Sequence, residues 1–121
     1  MILASPKAVY KALMDSKLHA KFTGAPAKIS KQVGGSFSAH GGYIKGKNLV
    51  LIPGKKIAQS WHASDWPKGH MSEIVYLLKK TKHGAKLIFT HKGVPIEHAK
   101  SIASGWKIYY WHPLKLMLEK K

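Results

Sequence analysis

The chain has 121 residues and is 45% hydrophobic, which suits one domain with a buried core and excludes a disordered chain. Its 21 lysines face only five acidic residues, for a formal net charge of +16, yet it contains no arginine, so specific recognition of nucleic acid is not expected. It has no cysteine, which excludes disulfides and thiolate metal sites, and no apolar run of the roughly 20 residues that a membrane span needs.

The N-terminus does not resemble a secretory signal, because a Ser-Pro-Lys run follows the first four residues at once. We therefore expect a cytoplasmic protein. The dispersed lysines indicate either a solvated surface or an anionic partner, such as an acidic protein.

Two short helices are predicted near the N-terminus. Ser5 is a suitable N-cap, with Pro6 at the first helical position. Asp15 and Ser16 end this helix and cap a second one at 17–22. The inner face of the first helix comprises Val9, Tyr10, Leu13 and Met14.

The central part of the chain carries the signals of about six short antiparallel strands. The candidate runs are 27–31, 36–40, 43–45, 48–52, 57–64, 71–79 and 85–91. Weak alternation predicts that Ile57, Gln59, Trp61 and Ala63 face one side of their strand. The last two runs are predicted to form a hairpin, with the inner residues Val75, Leu77, Leu87 and Phe89.

The segment 93–121 is predicted to form one long amphipathic helix that closes the sheet. Pro113 lies inside the pattern, so we expect a kink there and not a stop. The predicted inner stripe comprises Ile96, Ala99, Ile102, Ala103, Trp106, Tyr109, Tyr110, Pro113, Leu114 and Met117. Ile108, Trp111 and Leu118 fall outside it, as a contact either for a partner protein or for the N-terminal residues.

Helices segregated to one face of an antiparallel sheet make an α+β fold. Four segments of the sequence resemble the SRPBCC (START/Bet v1-like) superfamily, in the branch related to the C-terminal domain of the activator of the heat-shock-protein-90 ATPase. The segments are Ala4-Ser5-Pro6 with Val9, Tyr10 and Leu13; Val33-Gly34-Gly35 with Phe37 and Gly42; Pro53-Gly54-Lys55-Lys56-Ile57 with Trp61; and Thr90-His91 with Gly93-Val94-Pro95, Gly105-Trp106, Tyr109-Tyr110-Trp111 and Leu114.

The resemblance covers the whole chain, so we expect one domain over 1–121. It implies a helix-grip fold, in which a curved sheet wraps around the C-terminal helix and a cavity lies between the two. The aromatic residues that could line this cavity are Phe22, Phe37, Tyr43, Trp61, Trp66, Trp106 and Tyr110, with Trp66 at the rim.

The chain departs from the family at its start, where a first strand normally precedes the Ala-Ser-Pro segment. Only three residues remain here. The strand is therefore either very short or missing, and a missing edge strand would allow a second chain to pair there. Monomer and weak homodimer both stay open.

No metal or catalytic site is predicted. The eight histidines include no HExxH motif, although His40 and His62 could meet if their strands align. Asp65 and His70 are the one candidate acid–base pair, and Asp65 is more simply an exposed loop residue.

These observations favour a non-enzymatic domain that needs no cofactor and binds an apolar or amphipathic small molecule. A co-chaperone-like module that docks on a chaperone or another acidic protein is the alternative. A small cyclase or hydrolase of the same fold is the third.

Overall fold

The structure, a computed structural model, describes residues 2, 4–66 and 70–119. Six antiparallel strands form one sheet in the order β1-β2-β3-β4-β5-β6. Their bounds are Lys28–Ile29, Ser36–Ala39, Ile44–Ile52, Lys56–Ala63, Ser72–Lys80 and Ala85–Lys92. The predicted runs 43–45 and 48–52 are thus one strand, β3. Short N-terminal helices and a C-terminal helix complete the predicted α+β, helix-grip fold.

The two N-terminal helices are α1, Pro6–Met14, and α2, Ser16–Thr23. The Ser5 hydroxyl accepts a hydrogen bond from the N–H of Ala8, at 3.1 Å, and the Asp15 carboxylate accepts one from the N–H of Leu18, at 3.0 Å. Both caps were predicted from the sequence, because Ser and Asp side chains satisfy N–H groups that the first helical turn leaves free.

Strand β5 faces the opposite way from the sequence prediction. Its inner face, the side towards the C-terminal helix, carries the buried residues Ser72, Ile74, Tyr76 and Leu78. Val75 and Leu77 lie on the outer face, so the prediction for these two was wrong. The register explains the difference: Tyr76 lies opposite Phe89, and Leu78 opposite Leu87, which puts the even residues of β5 on the side of the core.

The C-terminal helix consists of α3, Ala99–Gly105, a π-helical segment, Trp106–Trp111, and α4, His112–Glu119. A single 3₁₀ turn, Ile96–His98, precedes it. The helix continues through Pro113, as predicted, but the disturbance is a π segment ahead of the proline. In an α-helix, Pro113 would lack the N–H for the carbonyl of Tyr109 and would clash with it. A wider turn with i→i+5 bonds relieves that clash.

The predicted inner stripe of the C-terminal helix is only partly buried. Trp106, Tyr110 and Leu114 are buried, as predicted, whereas Tyr109 is 52% and Ile96 85% exposed. Ala99 and Ala103 are exposed too. Ile96, Ala99 and Ala103, which precede the π segment, were wrongly assigned to the inner stripe. Tyr109 lies within the π segment, and its side chain is half exposed although it lines a cavity beneath the helix. Conversely, Trp111 and Leu118 pack against the core and do not form an outer strip. The α-helical angle of 100° per residue fails beyond Gly105 because the π turn holds more residues.

A chain of three hydrogen bonds ties the C-terminal helix to the sheet. The indole N–H of Trp106 donates to Nδ1 of His91, at 3.1 Å. An indole nitrogen can only donate, so neutral His91 carries its proton on Nε2 and donates from there to the Ser72 hydroxyl, at 2.8 Å. That hydroxyl donates in turn to the carbonyl of Trp61, at 2.8 Å. These three hydrogen bonds therefore link the helix to β6, β5 and β4.

Near the N-terminus, one isolated bridge joins the chain to the sheet. Ile2 pairs antiparallel with Ala85 through two hydrogen bonds of 2.8 Å at the outer edge of β6. Whether the first strand is very short or missing stays a prediction. Pairing with a second chain stays a hypothesis. No helix among the residues that the structure describes is long and apolar enough to cross a membrane.

Two glycines should respond in opposite ways to alanine. A Cβ at Gly46 would collide with the carbonyl oxygen of Ser60 in β4 and lie 2.7 Å from Cε1 of Phe37. We expect Gly46→Ala to lower the free energy of unfolding by about 3 kcal/mol. Gly105 is helical, and its Cβ would meet no atom nearer than Cδ2 of Tyr109, at 3.8 Å. Gly105→Ala should therefore stabilise by about 0.5–1 kcal/mol, as measured by urea unfolding. Equal effects at both sites would contradict the assigned strand pairing.

Protein stability should fall in mild acid because of buried His19. Burial, and secondly the charge of His40, lower the pKa of His19 to about 4. Between about pH 6.5 and pH 4, the unfolded chain therefore binds a proton that the folded chain excludes, so stability decreases as pH falls through this range. His19 alone should contribute a loss of roughly 3 kcal/mol.

The test is urea unfolding at about pH 7 and about pH 4.5, which brackets most of this range. His19 lies between the rings of Phe22 and Tyr110, at 5.0 and 5.2 Å, so leucine is a reasonable replacement by size. His19→Leu should reduce the pH dependence, whereas His83→Leu, at an exposed position, should leave it unchanged. Parallel pH profiles for the wild type and His19→Leu would refute the assignment.

Candidate functional site

A cavity of about 430 Å³ lies between the C-terminal helix and the inner face of β3 and β4. Small-molecule sites in proteins are typically clefts of roughly 300–1,000 Å³ with mainly apolar and aromatic walls. No lysine, aspartate or glutamate lines this one, although the protein as a whole is strongly basic. The lining residues are His40, Tyr43, Ile44, Trp61, Ser101, Ile102, Gly105, Trp106, Tyr109 and Tyr110.

The helical wall is open because small residues follow each other one turn apart. Ser101 and Gly105 stand four positions apart in α3 and so lie on the same face. A Cβ on Gly105 would meet no atom nearer than Cδ2 of Tyr109, at 3.8 Å, which is an ordinary van der Waals contact. The π segment then brings two consecutive tyrosines, Tyr109 and Tyr110, to the cavity. Small side chains and a wide turn thus create the volume together.

Aromatic rings in mutual contact form the walls. The ring centroids of Trp61 and Trp106 are 5.7 Å apart, and those of Trp106 and Tyr110 are 4.4 Å apart. Aromatic pairs at such distances stabilise each other by about 0.5–1.5 kcal/mol beyond the burial of their area. His40 closes the other side, 5.8 Å from the ring of Tyr109. These contacts make a preformed wall.

One end of the cavity is polar. The Tyr43 hydroxyl donates a hydrogen bond to Oδ1 of Asp65, at 2.6 Å. Burial, followed by this hydrogen bond and the charge of Asp65, raises the pKa of Tyr43 to about 12. Nδ1 of His98 lies 4.0 Å from Oδ2 of Asp65, which makes an ion pair when His98 is protonated. Asp65 therefore offers an acceptor beside an otherwise apolar space.

His40 is the one titratable ring in the cavity wall apart from the tyrosines. It adopts a φ of 53°, in the left-handed region that residues other than glycine rarely occupy. Burial lowers its pKa, so the ring is neutral at physiological pH. A neutral imidazole both donates and accepts a hydrogen bond, which suits a polar group of a bound molecule.

The structure brings four of the seven predicted site residues together. Tyr43, Trp61, Trp106 and Tyr110 line the cavity, whereas Phe22, Phe37 and Trp66 do not. Phe22 packs behind Tyr110, with ring centroids 5.5 Å apart. Phe37 is buried on β2.

Trp66 was predicted at the rim and is instead buried, behind Trp61 at 5.3 Å. An indole next to a proline in a loop reads as exposed in the sequence, but here it fills the space between the end of β4 and a group of histidines. Those histidines are His62, His70, His91 and His98.

The sequence reading did not name the other lining residues as site candidates. Ile102 and Tyr109 were placed on the inner stripe, but Ser101, Gly105, His40 and Ile44 carried no such signal. Gly105 was the available clue, because a glycine destabilises the interior of a helix and therefore suggests a position where space, and not helix stability, is needed.

The polar groups nearby are not arranged for metal binding or nucleophilic catalysis. Among residues 2, 4–66 and 70–119, no cluster of three or more His, Asp or Glu side chains could hold a metal ion. His91 contacts Ser72 through its protonated Nε2, so it cannot take the proton of that serine. His70 bonds the carbonyl of Gly93, at 2.7 Å, and not Asp65. His40 and His62 contact different rings and do not meet.

The family model described as "Activator of Hsp90 ATPase homolog 1-like protein" matches residues 3–119. The mouse activator of 90 kDa heat shock protein ATPase homolog 1 is 30% identical over 113 residues, which are 93% of this chain and 33% of that protein. The homologue from Dictyostelium discoideum is 31% identical over 106 residues, 85% of this chain and 27% of that protein. The chain spans about a third of the length of the curated relatives it matches.

Solved structures show the same fold. An HSP90 activator from Plasmodium falciparum superposes with a TM-score of 0.90 at 23% identity, over 97% of this chain and 90% of that one. The solution structure of the Aha1 dimer from Colwellia psychrerythraea gives a TM-score of 0.80 at 26% identity, over 98% and 91% of the two chains. With the family model covering nearly the whole sequence, the predicted resemblance is confirmed: the chain belongs to the family of activator of Hsp90 ATPase homolog 1-like proteins, in the Bet v1-like superfamily.

Proposed function

We propose that this domain binds an apolar or amphipathic small molecule in the cavity beneath the C-terminal helix. The observation that carries the proposal is the cavity itself, about 430 Å³ with aromatic walls and no charged lining residue. Burial of apolar area supplies about 25 cal/mol per Å², so such walls favour a ligand with ring or chain carbons.

The polar end of the cavity orients that ligand. The Asp65 carboxylate accepts a hydrogen bond from Tyr43 and keeps lone pairs for a second donor. The neutral ring of His40 and the hydroxyl of Ser101 stand at the same cavity. A ligand with an apolar body and one polar, donor-bearing group therefore fits best.

Filling the cavity should abolish binding without unfolding the domain. In Gly105→Leu the new side chain would occupy part of the cavity that Gly105 and Tyr109 line, on a helix that leucine favours. We expect titration with naphthalene-type fluorescent probes, fatty acids, sterols and flavonoids to shift the NMR signals of Trp61, Trp106 and Tyr110 in the wild type. Gly105→Leu should weaken the binding of whichever probe shifts them by at least about tenfold.

Ala103→Leu is the matched control, since Ala103 is exposed on the same helix. It should bind like the wild type. A broad panel that shifts only surface lysines, or binding that Gly105→Leu leaves intact, would remove the cavity proposal.

A second candidate function is docking on a chaperone. The specific observation is the 30% identity to the mouse activator of 90 kDa heat shock protein ATPase homolog 1. A net charge of +16 would also favour an acidic partner. The dimeric Colwellia relative makes self-association a further proposal. The cytoplasmic location predicted from the sequence stays a prediction.

If the domain acts in this way, it should raise the ATPase rate of an Hsp90 chaperone from the same organism. The stimulation should weaken between low and physiological salt, because salt screens exposed charges. Steady-state ATP hydrolysis with and without the domain measures this, and an Hsp90 inhibitor gives the background rate. An unchanged rate at low salt would eliminate the candidate.

A further inference from the structure

The outer face of the sheet carries a block of apolar side chains from β3, β5 and β6, with Ala58 and Lys56 of β4 between them. Cross-strand pairing assembles it in two rows. One row runs Val50, Ala58, Val75, and the other runs Ile52, Lys56, Leu77, Ile88. We call Val50, Ile52, Val75, Leu77 and Ile88 the outer apolar block. The solvent-facing side of an antiparallel sheet is normally polar, so such a block marks a contact surface.

Part of the block is well exposed. Ile52 is 45% and Val50 37% exposed, and the other three side chains are partly buried among their sheet neighbours. All five lie on the face opposite the core. Val75 and Leu77 alternate along β5 with the buried Ile74 and Tyr76, and the cross-strand register places the other three on the same face. The block therefore faces away from the C-terminal helix and from the cavity.

Lysines surround the block. Lys79 and Lys86 lie directly opposite each other in β5 and β6, an arrangement of like charges that destabilises a sheet. Beside it, a depression of about 660 Å³ holds Ile52 and Leu77 together with five lysines, namely Lys7, Lys55, Lys56, Lys79 and Lys80. Glu73 is the one acidic residue in the six strands. A partner with carboxylates would reduce the repulsion between the lysines around this apolar centre.

We propose that the outer apolar block docks an acidic polypeptide segment with apolar side chains at its centre. A small anion such as a polyphosphate would use the lysines and leave the block in water. A second copy of this face would set lysines against lysines. An acidic segment with apolar anchors satisfies both features, because hot spots are usually apolar centres inside a charged rim. The proposal deepens the second candidate function and does not depend on the cavity.

The direct test is an NMR titration of the full chain with three probes. The first is a synthetic peptide with a short leucine core flanked by glutamates, the second a glutamate-only peptide of the same length, and the third tripolyphosphate. We expect the first probe to shift the amides of Val75, Leu77 and Ile88 and to bind about tenfold more tightly than the second. Tighter binding of tripolyphosphate at the same residues, or shifts confined to the cavity residues Trp61 and Trp106, would overturn the proposal.

A pair of variants separates the apolar contribution from charge. Leu77→Gln combined with Ile88→Thr should weaken the binding of the leucine-core peptide by about tenfold, since both changes remove apolar contact area. The matched control combines Ile96→Thr with Ile108→Gln, two isoleucines that are 85% and 63% exposed in the C-terminal helical region. The control should bind the peptide like the wild type. Near-UV circular dichroism checks that both variants are folded.

Chaperone assays with the same variants distinguish a failure of the proposed docking surface from a failure of the co-chaperone function. If Hsp90 is stimulated equally by the wild type and by Leu77→Gln/Ile88→Thr, the docking surface is wrong while the co-chaperone function stands. If the peptide binds the block but no stimulation occurs, the co-chaperone function fails and the docking surface stands. Loss of stimulation in this variant alone, with the control unaffected, is the result that we expect.

Discussion

The structure depends on how the C-terminal helix is held against the sheet. The Trp106 indole, the His91 ring and the Ser72 hydroxyl form a directed series of hydrogen bonds that ends on the backbone of β4. Each group has one donor to give, so the direction of the whole series is set by the indole at its start. This series fixes the rotation of the helix, and therefore which aromatic rings stand over the sheet.

Burial keeps that series intact near neutral pH. Because His91 is largely buried, its pKa falls to about 4. Its Nδ1 therefore stays unprotonated and accepts the hydrogen bond from the indole N–H throughout the physiological pH range. The same histidine is thereby unsuited to act as a base towards Ser72, so a pair that resembles part of a catalytic site has a structural role here.

The sheet uses its two faces for different purposes. The inner face supports an uncharged aromatic cavity, whereas the outer face combines an apolar block with a surplus of lysines. A charge of +16 would hinder self-association through such a face and favour acidic partners. The two proposed binding modes thus occupy opposite sides of the same strands, and neither requires the other to be vacant.

Local patterns in the sequence determined the element order, both N-terminal caps and the inward face of β4, because capping and alternation, although weak in β4, involve only neighbouring residues. The family resemblance also placed Tyr43, Trp61, Trp106 and Tyr110 near one cavity. The facing of β5 was decided only in the tertiary structure, since Ile74, Val75, Tyr76, Leu77 and Leu78 are all apolar and show no alternation; pairing with β6 chooses among them.

The burial of Trp66 and Trp111 and the exposure of Tyr109 were likewise tertiary outcomes. Pro113 signals a disturbed helix, but the sequence does not say whether that disturbance is a kink or a π segment. The choice depends on packing of the rings against β4 to β6, which are distant in sequence. What the sequence by itself determined is therefore the fold and four of the aromatic residues that line the cavity. The cavity volume and the outer apolar block were decided by the three-dimensional register of helix and strands.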